Sequence, residues 1–122
     1  MGFLFKGIDH VQLVAPKGHE DKAREFYTGL LGLKEVPKPE NLRGRGGCWF
    51  SCGMQEIHIG TLEPFAAPKK AHPALVVEGL VELRDRLEKA SYTIEEEEPI
   101  AGRDRLFVED PFGNRIEFME YH

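Results

Sequence analysis

Four side chains of this 122-residue sequence stand where they can hold a cation or move a proton: His10, His58, His72 and Glu117. Each lies in a short alternating run. In "GIDHVQLVA" the period of two puts His10, Gln12 and Val14 on one face and Val11 and Leu13 on the other. In "QEIHIGTL" Glu56 and His58 oppose Ile57 and Ile59; in "HPALVVE" His72, Ala74 and Val76 oppose Leu75 and Val77; in "RIEFMEY" Glu117 and Met119 oppose Ile116 and Phe118. A single strand histidine is more often a hydrogen-bonded or surface residue than a ligand, and a single strand glutamate is more often ion-paired. Here all four have apolar neighbours that face the other way. Three imidazoles and a carboxylate suit a divalent first-row metal (zinc, nickel, manganese, cobalt or iron) and leave room for water or substrate. The other histidines, His19 and His122, lie in a loop and at the terminus and receive no role.

The elements that must position these residues repeat. His10-Val11-Gln12-Leu13-Val14 aligns with His72-Pro73-Ala74-Leu75-Val76, and Ile57-His58 aligns with Ile116-Glu117. Each half reads strand, helix, strand, strand, strand. In the first, residues 20–31 carry Ala23, Phe26, Tyr27, Leu30 and Leu31 at helical spacing, with Gly32 at the exit. Residues 33–36 form a short strand stopped by Pro37 and Pro39, and "CWFSC" with "QEIHIGTL" forms a hairpin around Gly53. "ENLRGRGG", with Arg43 and Arg45, lacks the Lys-Ser/Thr ending of a phosphate loop and reads as a mobile loop over a pocket. Proline-rich "EPFAAPKKAHP" links the halves. In the second half, "GLVELRDRLEKA" is an amphipathic helix and "YTIEEEE" a strand with a solvated acidic edge. Residues 104–121 close the chain as a hairpin whose turn, "DPFGN", combines Pro111, Gly113 and Asn114. The expected fold class is α+β: two βαβββ modules about a pseudo-twofold axis, at about 7–62 and 72–121 with a linker at 63–71, in one domain. The four candidate ligands are expected to converge in the cleft of the cupped mixed sheet.

Composition narrows the function classes. A net charge of −5 gives no electrostatic reason to expect nucleic acid or an anionic membrane as partner. No apolar run approaches the roughly 20 residues of a membrane span, and "MGFLFKG" is too short for a secretory signal. Cys48 and Cys52, four residues apart in a strand, are separated by roughly 13 Å at ~3.3 Å per residue, too far to bridge. A reduced, cytoplasmic protein is expected.

The segments "DHVQLVAP", "AREFYTGLLGL", "HPALVV" and "FVEDPFGNRIEFME" make the whole chain resemble the vicinal-oxygen-chelate superfamily, the glyoxalase/bleomycin-resistance/extradiol-dioxygenase group. The resemblance implies paired βαβββ modules cupped around a metal, with ligands at His10, His58, His72 and Glu117. His10, His72 and Glu117 match the two-histidine, one-glutamate set of dioxygenases and fosfomycin-modifying thiol transferases. His58 stands where glyoxalase I has a glutamate serving as ligand and base. The implied function is a metal-dependent Lewis-acid enzyme on a small oxygen-bearing substrate, of the lyase/isomerase, dioxygenase or thiol-transferase type. His58 and Glu117 are then the catalytic candidates, while Arg105 and Phe107, on one face of their strand, are the substrate-binding ones. The alternative is a non-catalytic small-molecule or antibiotic-binding resistance protein of the same fold. Exposed sheet edges and the resemblance both imply a homodimer.

Overall fold

The computed structural model describes residues 2–122. In the first half, alternation of apolar and polar residues produces β1 (His10–Ala15), β3 (Cys48–Cys52) and β4 (Gln55–Thr61), with a short β2 (Glu35–Val36). They form one sheet in the order β1-β4-β3-β2, in which β1 runs parallel to β4 and the other pairs are antiparallel. The second half repeats the plan with β5 (Ala74–Val76), β6 (Arg103–Glu109) and β7 (Arg115–Tyr121) in the order β5-β7-β6. There β5 runs parallel to β7, and β6 pairs with it antiparallel. Each half therefore closes on its own first strand, and the class is α+β as expected.

Helix α1 (Glu20–Arg24) passes directly into a π-helical turn, Glu25–Leu30. The wider turn is visible in the bond from Leu31 N–H to the Phe26 carbonyl, five residues back at 2.9 Å. Gly32, at φ 79, ends the segment in the left-handed region that the exit requires. Helix α2 (Leu80–Lys89) lacks a side-chain cap of its own. Glu120 of β7 supplies one: its carboxylate accepts from the Gly79 and Leu80 N–H groups, both at 3.0 Å. The helices cover the sheet face that carries Phe50, Ile57 and Ile59 in one half and Leu106, Val108, Ile116 and Phe118 in the other. With Phe26, Tyr27 and Leu87 these residues make one buried cluster spanning both halves.

Several boundaries differ from the expectation. The strand expected over "YTIEEEE" is a single bridge, Glu95 to Phe107. Past Glu95 the chain is held by side chains instead of a ladder: Glu96 pairs with Arg84, Glu97 with Arg115, and the Glu98 carbonyl accepts from Arg105. Pro99 has no N–H to continue it. The strand expected from His72 begins only at Ala74, because Pro73 cannot donate and offers its carbonyl to Glu117 N–H. The expected mobile loop is a 3₁₀ helix, Glu40–Arg45, followed by Gly46 and Gly47. Gly47 admits no side chain: a Cβ there would lie 2.3 Å from the Ile59 carbonyl oxygen, and its N–H donates to Glu20 at 2.6 Å.

One buried carboxylate ties the halves together. Asp110, at the start of the "DPFGN" turn, accepts from Tyr27 Oη at 2.6 Å and from Asn114 Nδ2 at 3.0 Å. Its other oxygen accepts from the backbone N–H of Phe112 and of Asn114, both at 2.9 Å. Asn114 Nδ2 also reaches the Val14 carbonyl at 2.8 Å. Burial, reinforced by the Asp110 charge, pushes the Tyr27 hydroxyl well above its ordinary value, so it remains a donor. Asp110→Ala leaves these buried donors without an acceptor and is expected to lower unfolding free energy by about 3 kcal/mol, measured by urea denaturation.

The cap on α2 has a pH signature. The Leu80 and Gly79 N–H groups hold the Glu120 carboxyl below its ordinary 4.5. Its stabilising contribution is therefore complete above pH 4.5 and is lost as pH falls through the depressed folded-state value. Wild type is expected to melt above Glu120→Gln at pH 7, and the two melting temperatures to converge as the pH falls through the depressed Glu120 value.

Candidate functional site

The polar faces of the two sheets, opposite the helices, carry the candidate residues. In the first half, the β3–β4 register sets Trp49 directly across from His58, and His10 lies on the neighbouring β1. The three rings stack: the Trp49 and His58 centroids are 3.8 Å apart at 4°, and the His58 and His10 centroids 3.9 Å apart at 15°. His58 is only 3% exposed. Its Nε2 meets Glu56 Oε1 at 2.8 Å, and His10 Nδ1 meets Asp9 Oδ2 at the same distance. Trp49 is the residue that sequence reading missed; the signal was its place in "CWFSC", where alternation sets it against Cys48 and Phe50 of the core face.

In the second half, Glu117 is 5% exposed and carries two partners. His72 Nε2 lies 2.9 Å from its Oε1, and Arg105 Nη1 lies 3.4 Å from its Oε2. His72 Nδ1 meets the Lys70 carbonyl at 2.8 Å. Phe107 presents its ring to the His72 edge at 5.1 Å, with the Arg115 guanidinium 4.0 Å and that of Arg105 5.3 Å from its centroid. A cavity of about 210 Å³ opens beside it, lined by Phe107, Arg115, Lys69 and two glutamates, Glu95 and Glu109.

The expected convergence of all four ligand candidates in one cleft does not occur within a single chain. His10 packs on His58 and His72 on Glu117, and among the described residues no three His, Cys, Asp or Glu side chains form a metal-holding group. The physical reason is the strand order: β1 and β4 belong to one sheet and β5 and β7 to the other, so each half assembles only its own pair.

The ring nitrogens sort themselves by partner. The Lys70 carbonyl and the Asp9 and Glu56 carboxylates are acceptors, so His72 Nδ1, His10 Nδ1 and His58 Nε2 act as donors. In the neutral imidazoles the lone pair then sits on His72 Nε2, His10 Nε2 and His58 Nδ1. At His72 this aims a lone pair at a carboxylate oxygen 2.9 Å away, an approach that requires a proton or another cation in between. One ring N–H held by an acceptor is the usual state of a metal-ligating histidine, and His72 shares its second nitrogen's contact with a carboxylate that can itself ligate, so the donor chemistry of each pair fits a cation.

The cysteines offer no competing chemistry. Burial pushes the Cys48 thiol up to about 11 and raises Cys52 as well, so neither supplies a ready thiolate. His19 is 2% exposed at the start of α1, with Nδ1 on the Pro16 carbonyl at 2.7 Å, which is a structural placement.

A family model of the Glyoxalase/Bleomycin resistance protein/Dioxygenase superfamily matches residues 7–118. Among solved structures, a glyoxalase family protein from Bacillus anthracis is 48% identical, with a TM-score of 0.95 and 100% of both chains covered. A lactoylglutathione lyase from Agrobacterium tumefaciens is 22% identical, with a TM-score of 0.72 over 93% of this chain and 92% of the other. A fosfomycin resistance protein from Listeria monocytogenes is 14% identical, with a TM-score of 0.78 over 98% and 96%. The last two likenesses establish the fold alone. Among curated proteins none matches the chain at a significant level. No helix among the described residues is long and apolar enough to cross a membrane.

The stack has a spectroscopic consequence. Trp49 is the sole tryptophan, and the His58 ring covers one of its faces. His58→Ala is expected to raise acrylamide quenching of tryptophan fluorescence and shift its emission to the red, with far-UV circular dichroism unchanged.

Proposed function

The chain belongs to the glyoxalase/bleomycin resistance protein/dioxygenase superfamily, and on that basis we propose that it is a metal-dependent enzyme acting on a small oxygen-bearing substrate. The observation that carries this reading is the state of the three imidazoles. Each has one nitrogen held by a local acceptor, and the second nitrogen of His72 faces the buried Glu117 carboxylate at 2.9 Å. His10, His58, His72 and Glu117 would hold one divalent cation. Because one chain keeps them as two pairs, the complete set would join His10 and His58 of one chain to His72 and Glu117 of a second, so the working unit is a homodimer.

The bound cation would supply Lewis acidity to a substrate oxygen. The remaining roles fall to the chain's own groups. Glu56 holds His58 Nε2, which leaves Nδ1 either to bind the cation or, with the cation held by His10, His72 and Glu117 alone, to take or return a proton. Trp49 and His10 hold the plane of that ring. Arg105 lies on the polar face with one N–H on Glu117, where a second can meet an anionic substrate oxygen. Phe107 supplies an apolar wall beside it.

A second reading, a small-molecule binding protein without turnover, is favoured by one contact. The Arg105 guanidinium already lies 3.4 Å from Glu117, so the carboxylate has a counter-charge without any metal.

Metal titration separates the two. Protein prepared without a tag or chelator is expected to bind about one divalent metal per chain, tested with Zn²⁺, Ni²⁺, Mn²⁺ and Fe²⁺. Glu117→Ala or His72→Ala is expected to lose it. His58→Ala should keep measurable metal, and Glu56→Ala should weaken binding about 10–100-fold by freeing the His58 ring. Metal content near zero in wild type, with ligand bound stoichiometrically and unconsumed, would favour the binding protein. A substrate panel of glyoxal hemithioacetals, catechols and fosfomycin then assigns the reaction.

A further inference from the structure

The helix side of the molecule, away from the ligand pairs, holds a cavity of about 470 Å³ that the proposed chemistry leaves unused. That volume lies within the roughly 300–1,000 Å³ of small-molecule sites. Its walls come from both halves. The π-helical turn supplies Phe26 and Leu30, the chain just past α2 supplies Ala90 and Tyr92, and the "DPFGN" turn supplies Pro111. Two departures from regular backbone shape it. The five-residue bond from Leu31 N–H to the Phe26 carbonyl widens the first wall, and single wide turns of this kind are frequent at functional sites. On the second wall Ser91, at φ 70, ends α2 in the left-handed region, with the Tyr92 N–H donating to the Leu87 carbonyl at 3.0 Å. That exit lays the Tyr92 ring against Phe26, centroids 5.1 Å apart and tilted by 52°, so the two rings form a wedge. Arg86 donates to the Gly29 carbonyl at 3.1 Å and fastens the walls to each other.

The rim carries one charge of each sign. Lys22 and Glu25 both line the cavity, three residues apart along one helical surface. The charge between them is taken, since Arg24 pairs with Asp21 and Glu35. Among the described residues neither Lys22 nor Glu25 has an ion-pair partner, and they do not pair with each other. Burial, then the charges of Asp110 and Glu25, raise the Tyr92 hydroxyl above its ordinary 10.0, so it stays a neutral donor in the wall. We infer that this cavity binds a free amino acid with an aromatic side chain. The ligand's ring enters the wedge of Phe26 and Tyr92, where offset and edge-on ring contacts are favourable. Its ammonium faces Glu25 and its carboxylate faces Lys22, so a zwitterion meets one charge of each sign. The site also touches the joint between the halves: Phe26 precedes Tyr27, which donates to Asp110, and Pro111 follows Asp110. A bound amino acid therefore clamps both halves at their joint, as an effector apart from the ligand pairs. The inference is independent of whether the chain holds metal.

Isothermal titration of the full chain with L-phenylalanine is expected to show about one site per chain, with Kd on the order of 1 mM. Lys22 and Glu25 are exposed, so each contact is worth at most about fivefold in affinity. Phenylalaninamide, which lacks the carboxylate, and N-acetylphenylalanine, which lacks the ammonium, are each expected to bind about three- to fivefold more weakly. Lys22→Gln should erase the preference over the amide alone, and Glu25→Gln the preference over the acetylated form alone. Ala90→Trp, filling the cavity from its exposed lip, is expected to abolish binding with circular dichroism unchanged. Saturating L-phenylalanine should raise the melting temperature of wild type and leave that of Ala90→Trp where it is. No binding heat in wild type at about ten times the expected Kd overturns the inference, as does undiminished binding by Ala90→Trp. Capped forms that bind as tightly as the free amino acid overturn it too, because the site then reads only the ring. Should Ala90→Trp fail to fold, the two rim variants, both at exposed positions, decide the matter by themselves.

Discussion

The Asp110 carboxylate holds the molecule in its shape. Four donors converge on its two oxygens, one of them from Tyr27 in the opposite half, while the Asn114 amide it orients reaches back to Val14 in β1. Two half-sheets that bury their helix-side faces in a common core can slide on apolar contacts alone, because such contacts are not directional. A buried carboxylate whose hydrogen bonds cross the joint cannot slide without stranding donors. The relation between the halves is thereby fixed, and with it the division of the site into two pairs.

Much of this was legible in the sequence. Alternation correctly set His10, His58 and Glu117 on strand faces opposite Val11, Ile57 and Ile116, although His72 lies just outside β5, and the internal repeat correctly implied that each half folds on one plan. The acidic stretch was misread because "YTI" has the composition of a strand, and nothing local reveals that the glutamates after it are claimed by Arg84 and Arg115 from other elements. The Trp49 stack depends on the register of β3 on β4, which alternation does not specify. Whether the four candidates meet depends on how one half sits on the other. That relation is set by a Tyr27–Asp110 contact between residues 83 apart in sequence, beyond the reach of any periodicity.

His58 changes the character of its half of the site. A carboxylate at that position would bring negative charge and rotate freely about its last bond. An imidazole pressed between two rings, with Glu56 on one nitrogen, is neutral or positive and has one orientation. The negative charge is displaced to Glu56, on the same face two residues earlier. The first pair therefore offers a fixed nitrogen with a charge behind it, and the second pair, His72 with Glu117, offers the charge directly.

The glutamates from Glu96 to Glu98 give the two halves different sensitivities to their medium. The outer strand of the first half is held by ladder bonds, which dissolved ions barely affect. At the corresponding edge of the second half, Glu96 and Glu97 are held by ion pairs with partly exposed members. Such pairs are screened over about 10 Å at 0.1 M ionic strength. The edge of the first half has its own exposed pair, Glu35 with Arg24, but there it supplements ladder bonds. At the second edge the ion pairs stand in for the ladder, so the order of that edge depends on the surrounding salt more than its duplicate's does.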